Sequence, residues 1–123
     1  MAKTKGQLEA AITAALSQFE RDHLGRGPKQ ARTFILQDVI LVRLTGILSP
    51  AEHQLSQETG GVGLIKQMRS RLIENASHTL AGLVEENVDA EVVSIHTDIS
   101  TRTGERIFVF SLDRDLEATL PTS

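Results

Sequence analysis

The segment Ser94–Phe110, SIHTDISTRTGERIFVF, places His96 two residues before Asp98. On a strand, residues i and i+2 point to the same face. A carboxylate beside an imidazole can raise its pKa and orient the ring, as a general base requires. Neighbours on one strand seldom form the linear hydrogen bond of a catalytic dyad, and no serine has the GxSxG setting of a nucleophile. His96 and Asp98 are therefore expected to line an interface or bind a ligand, together with Arg32 and Arg43. No catalytic residue is assigned, and the chain is not expected to be an enzyme.

Two glycine-rich stretches could hold an anion. GRGP at 25–28 carries Arg26, but it precedes a strand, and cradling a phosphate needs a helix N-terminus after the glycines. A helix C-cap followed by an extended X-Pro segment is its plainer meaning. TGGVG at 59–63 is better placed, because it opens a helix. Backbone N–H groups around Gly61, with Lys66 nearby, could hold a small anion; the plainer meaning is a helix–helix joint. Without the GKS ending of a P-loop, nucleotide hydrolysis is not indicated. The histidines at 23, 53, 78 and 96 form neither HxH nor HExxH, so no metal and no cofactor are expected.

The elements that must position these residues follow from periodicity. Leu8, Ile12, Ala15, Leu16 and Phe19 recur at helical spacing, which predicts a helix from about Thr4 to His23. ARTFILQDVILVRLTG predicts a hairpin turning at Gln37 and Asp38, with Leu36 opposite Val39, Phe34 opposite Leu41 and Arg32 opposite Arg43. Its other face, Thr33, Ile35, Ile40, Val42 and Leu44, should look into the core. LSPAEHQL carries a capping box, with Ser49 as N-cap, Pro50 at the first helical position and Glu52 three residues after the cap. This short helix should end near Gln57.

A long helix is expected from about Val62 to Glu86, with Leu64, Ile65, Met68, Leu72, Ala76, Leu80 and Leu83 as its apolar stripe. Lys66, Arg69 and Arg71 would form an exposed basic patch on its first half, against the helix dipole. Strands at about 88–99 and 105–112 should form a second hairpin, with Val93 opposite Leu112, Ile95 opposite Phe110 and Thr97 opposite Phe108. The polar stretch from Asp113 to Ser123 is expected to fray.

The predicted fold is α+β: a two-layer sandwich of a four-stranded, mostly antiparallel sheet with two main helices on one face, in the order α-β-β-α-α-β-β. One domain spans residues 1–123, with an ordered core of about 4–112. The face away from the helices would carry Phe34, Leu36, Val39, Leu41, Ile107 and Val109 beside Arg32, Arg43, His96 and Asp98. That is much apolar surface for a small monomer. Either the short helix covers part of it or a second subunit does, and a homodimer is the expectation.

Composition narrows the classes of function. The chain has 40% apolar and 24% charged residues, which is ordinary for a globular domain. It has no Cys, Trp or Tyr, which removes thiolate metal sites, disulfides and most stacking platforms for nucleic acid. A formal net charge of -3 argues against a general nucleic-acid binder. Charge is uneven: residues 21–71 hold eight basic and four acidic side chains, and residues 85–98 hold five acids and no Lys or Arg. No signal peptide and no membrane span are read from the sequence.

KTKGQLEAAI, GRGP, VILVRLTGILSPAEHQL and IHTDISTRTGERIFVFSL, in this order and spacing, together resemble the bacterial MpsC-like family over roughly Lys3 to Leu112. The resemblance implies a small soluble companion of a membrane-potential-generating system linked to cation transport and inorganic-carbon uptake. Such a protein would be cytoplasmic or peripheral to the membrane, with a transport protein as partner, and would act by binding. The rival expectation is an enzyme or sensor for a small anion, bicarbonate or a phosphate ester, with Arg32, Arg43, His96 and Asp98 lining the pocket and Arg26 or Lys66 at its entrance.

Overall fold

The computed structural model describes residues 3–121. Helix α1 (Lys5–Leu24) begins at a capping box: Gln7 donates its N–H to the Thr4 hydroxyl, and Thr4 donates its N–H to the Gln7 side chain. It ends at Gly25, whose N–H donates to the Arg21 carbonyl. Strands β1 (Gln30–Leu36) and β2 (Val39–Thr45) form the expected hairpin in the expected register, with Leu36 opposite Val39, Phe34 opposite Leu41 and Arg32 opposite Arg43. Helix α2 (Pro50–Ser56) starts at the capping box of Ser49 and Glu52. Helix α3 (Gly61–Glu85) leads into β3 (Val92–Ser100) and β4 (Glu105–Leu112).

The sheet is wholly antiparallel, in the order β1-β2-β4-β3. The α+β architecture and the order α-β-β-α-α-β-β are as the sequence predicts. Helix α1 packs on β1 and α3, α3 packs on β3, and α2 packs on α3. Between the layers lie Ile12, Leu16, Ile35, Ile40, Val42, Leu44, Leu80, Phe108 and Phe110, all fully buried. Each such side chain contributes on the order of 1.5–3 kcal/mol relative to remaining exposed. The Phe108 and Phe110 rings stack with centroids 5.8 Å apart.

Three expectations are corrected. The buried row of α3 runs through Ile65, Arg69, Ile73, Ala76, Leu80 and Val84, while Leu64, Met68 and Leu72 are exposed. Of the expected stripe, Ile65, Ala76 and Leu80 do face inward, while Leu64, Met68 and Leu72 do not. Arg69 belongs to the inward row because it meets carboxylates there, so no exposed patch of Lys66, Arg69 and Arg71 exists. Second, β3 begins at Val92 and not Val88, and a bulge between Val92 and Ser94 sets Val92 opposite Leu112. Val93, expected inside, is turned out and 67% exposed. Beyond the bulge, Ile95 pairs with Phe110 and Thr97 with Phe108, as expected.

The third correction concerns the C-terminal stretch. Within it, a 3-10 turn (Glu117–Thr119) forms and Leu116 is buried in the core. Glu117 accepts the Gln37 N–H at 2.9 Å and pairs with Lys5 at 2.8 Å, tying this segment to the first hairpin and to α1. Thr122 and Ser123, part of the same expectation, lie outside the described residues.

Side chains also meet the outer flanks of the sheet. The Ile35 N–H on β1 donates to the Glu9 carboxylate of α1 at 2.9 Å. On β3, the Ile99 N–H donates to Asp98 at 2.8 Å.

Candidate functional site

The sheet face away from α1 and α3 is built of three rows that cross all four strands. In strand order β1, β2, β4, β3 they are Leu36, Val39, Ser111, Ser94; Phe34, Leu41, Val109, His96; and Arg32, Arg43, Ile107, Asp98. Strand parity creates them, because each strand sends alternate residues to this face. Phe34, Val39, Leu41, Ile107 and Val109 are half-buried and Leu36 is exposed. Helix α2, one of the two covers considered for this face, packs on α3 instead.

The four residues singled out from the sequence all lie on this face, but they do not converge. Arg43 and Asp98 share a row yet are separated by β4; at about 4.8 Å per strand step, their backbones are about 10 Å apart. Arg43 pairs with Glu105. Arg32 lies over the Phe34 ring, 5.0 Å from its centroid. Asp98 accepts from its neighbour's N–H, and Lys66 Nζ is 3.3 Å from its carboxylate. Those two contacts, the backbone hydrogen bond first, hold its pKa below the ordinary carboxylate value. The His96 Nε2 lies 3.2 Å from the Ser94 hydroxyl. His96 and Asp98 thus share a direction while each has another partner, and no acid–base dyad is formed.

Lys66, Gly61 and Arg26 are likewise dispersed. Lys66 reaches Asp98, and the Gly61 N–H donates to the Glu58 carbonyl at 3.0 Å. Arg26 lies in a separate basic cavity at the end of the sheet where β1 begins.

Sequence inspection missed an ionic cluster inside the sandwich. Glu20 of α1, Arg69 of α3 and Arg106 of β4 are buried almost completely. Arg69 grips Glu52 of α2 with two hydrogen bonds, Nε at 2.7 Å and Nη2 at 2.8 Å, and Nη2 also donates to the Ile47 carbonyl at 3.2 Å. Glu20 lies between the arginines, 4.0 Å from Arg69 Nη1 and 3.6 Å from Arg106 Nε. Arg106 Nη1 donates to the Thr97 hydroxyl at 2.9 Å.

Two positive and two negative charges balance, which suits a buried site, because an unpaired charge there is costly. Signals for the cluster existed: Arg106 has the parity of Phe108, Glu20 follows Leu16 by one turn, and Arg69 falls between Ile65 and Ile73. Arg69 and Arg106 also line a cavity of about 260 Å³ with Ser77 and Thr97.

Burial raises the Glu20 pKa, opposed by Arg106 and Arg69. Burial also pushes Glu52 upward, but hydrogen bonds from Arg69 and Ser49 outweigh it and hold Glu52 below its ordinary 4.5. A carboxylate with a depressed folded-state pKa contributes stability above its unfolded pKa and loses it as pH falls through the folded value. Glu20 has the opposite sign, so within this cluster the loss below about pH 4.5 belongs to Glu52 and not to Glu20. Glu52→Gln keeps the capping box, which accepts Gln at this position, and removes the charge together with one of the two oxygens that accept from Arg69. Between pH 6 and pH 3, wild type is expected to lose more unfolding free energy than this variant does. Urea titrations at both pH values check it; equal losses would exclude Glu52 as the source.

Among the described residues no group of three His, Asp or Glu side chains comes together as metal ligands, and no helix is long and apolar enough to cross a membrane. The architecture is an α+β sandwich with one open, half-apolar sheet face. The chain belongs to the family described as "Na+-translocating membrane potential-generating system (MpsC)", which matches residues 4–114. It is similar to the uncharacterized protein YbcI of Bacillus subtilis (strain 168), 44% identical over 120 residues that cover 98% of this chain and 97% of the relative. It is also similar to the uncharacterized protein YrhF of the same organism, 24% identical over 104 residues that cover 83% of this chain and 84% of the relative. No solved structure gives a significant match.

Proposed function

We propose that the chain is a small accessory or regulatory protein of a membrane-potential-generating system and that it acts by binding. One observation carries this: the open sheet face presents six apolar side chains in three ordered rows, and among the described residues no helix packs over them. Contiguous apolar surface of this kind marks an interaction site. Its first occupant is a second copy of the chain, since two-fold pairing is the commonest association of identical chains. The family's description supports the membrane-system context. In that context the protein works at the cytoplasmic side of a transport protein, and inorganic-carbon uptake is the process the MpsC resemblance attaches to it.

A second apolar surface favours a further protein partner. Leu64, Met68 and Leu72 repeat at i, i+4 and i+8 on the outer side of α3, 58%, 47% and 37% exposed. With the sheet face occupied by a second copy, this stripe is left for the partner protein.

Sedimentation velocity at micromolar concentration tests the pairing. Wild type is expected to be dimeric. Val109→Lys, at the centre of the face, and Leu36→Lys, at its exposed margin, are expected to yield monomers with unchanged far-UV circular dichroism. A wild type that stays monomeric would overturn the dimer. Dimers that survive both substitutions would place the interface elsewhere.

A further inference from the structure

Three segments distant in sequence meet at the end of the sheet where β1 and β4 begin and β2 and β3 end. They enclose a cavity of about 330 Å³. Arg26 comes from the α1–β1 loop, Lys29 from the residue before β1, His53 from α2 and Arg102 from the β3–β4 turn. No Asp or Glu lines the cavity. Among the described residues, no carboxylate forms an ion pair with Arg26, Lys29 or Arg102. In a chain of net charge -3, three unpaired cations around one concavity are a departure from the interspersed signs of an ordinary surface.

The floor is specifically built. Gly46 and Gly104 both have left-handed backbones, φ 65° and 72°, which disfavours larger residues. They lie against each other: a Cβ on Gly104 would be 3.9 Å from the Gly46 Cα. A Cβ on Gly46 would stand 2.6–2.8 Å from three carbons of the Lys29 side chain, so the lysine stem lies across the bare glycine. The turn is latched to this floor, since the Ile47 N–H donates to the Gly104 carbonyl at 3.1 Å and the Gly104 N–H to the Ser100 carbonyl at 2.8 Å. The Lys29 N–H, donating to the Thr45 carbonyl at 2.8 Å, fixes its backbone on the same floor. Thr101 and Thr103 add hydroxyl donors to the lining.

We infer that this cavity binds a phosphate-bearing anion of two or more negative charges. The chemistry selects that class. Two guanidinium groups offer paired N–H donors that match phosphate oxygens, and a lysine adds a point charge. A singly charged carboxylate or bicarbonate would use only part of the set. The inference stands apart from the dimer, whose surface is the open sheet face.

The phosphate could be free or a lipid headgroup, and two arms separate these sources. In the first, inorganic pyrophosphate is titrated into the protein by calorimetry at fixed ionic strength. In the second, the protein is sedimented with phosphatidylcholine vesicles with and without phosphatidic acid. Wild type is expected to bind in at least one arm. Arg26→Gln/Arg102→Gln should bind at least about tenfold more weakly, as loss of hydrogen bonds to a charged group implies. Arg71→Gln, an exposed arginine outside the cavity, should leave binding unchanged. Gly46→Ala, which displaces Lys29, should weaken binding too, with circular dichroism confirming that it folds. Saturable pyrophosphate binding identifies a free ligand; binding only to phosphatidic acid vesicles identifies a headgroup. Absence of binding in both arms would overturn the inference, as would equal losses for the cavity variant and Arg71→Gln.

Discussion

Replacing Arg69 by alanine is expected to cost about 3–5 kcal/mol of folding stability, the range for breaking a buried ion pair by removing one partner. The guanidinium holds Glu52 by two hydrogen bonds, the Ile47 carbonyl by a third, and shares Glu20 with Arg106. Truncation leaves the Glu52 carboxylate without its partner and Glu20 with one arginine in place of two. A methionine in place of Arg69 refills the space but not the charge, so Arg69→Met alone should also be strongly destabilising. Combining it with Glu52→Gln removes one uncompensated charge, and the pair should recover part of the loss. Urea unfolding of the single and double variants checks this. If Arg69→Ala loses less than about 1 kcal/mol, the range of exposed ion pairs, the cluster is not a structural lock.

The second large effect is expected at Gly61, where α2 and α3 come into backbone contact. A Cβ there would lie 1.7 Å from the Leu55 carbonyl oxygen. That oxygen belongs to the main chain and cannot swing aside as a side chain can. Gly61→Ala must therefore push the two helices apart, at about 1–3 kcal/mol or more. Gly63, two residues along the same helix, has open space where a Cβ would go. Gly63→Ala should be neutral or stabilising, since alanine is favoured over glycine in a helix by about 1 kcal/mol. Thermal unfolding of the two variants side by side makes the comparison. Equal tolerance would refute the close approach of α2 and α3. The contact gives the first glycine of α3 a packing role, since only a residue without a Cβ fits against the Leu55 carbonyl.

Much of this architecture is legible in the sequence because local rules act without competition. The Gln37–Asp38 turn fixed a register that put Thr33, Ile35, Ile40 and Val42 on one side, and Ser49, Pro50 and Glu52 announced a helix start by themselves. Part of the α3 stripe was misassigned for a physical reason. Leu64, Met68 and Leu72 are apolar at helical spacing, and Arg69 is charged, so hydrophobicity favoured the wrong row. What turns Arg69 inward is a pair of carboxylates 17 and 49 positions away in sequence, which periodicity cannot weigh. The bulge that exposes Val93 is equally silent locally. Of the anion-binding cavity, only Arg26 was singled out. Arg102 and Lys29 become its neighbours because the order β1-β2-β4-β3 brings two hairpin ends together, and strand order is a property of the whole fold.

The two flanking strands hold a last consequence. A sheet with bare margins can recruit further chains strand by strand and grow into a polymer. Here the Ile35 N–H on β1 is taken by Glu9, and the Ile99 N–H on β3 by Asp98, which Lys66 holds in turn. The bulge at Val93 breaks the regularity of the second margin as well. These contacts oppose lateral growth at both margins without touching the sheet's open surface. A two-fold pair formed on that surface closes on itself and stops.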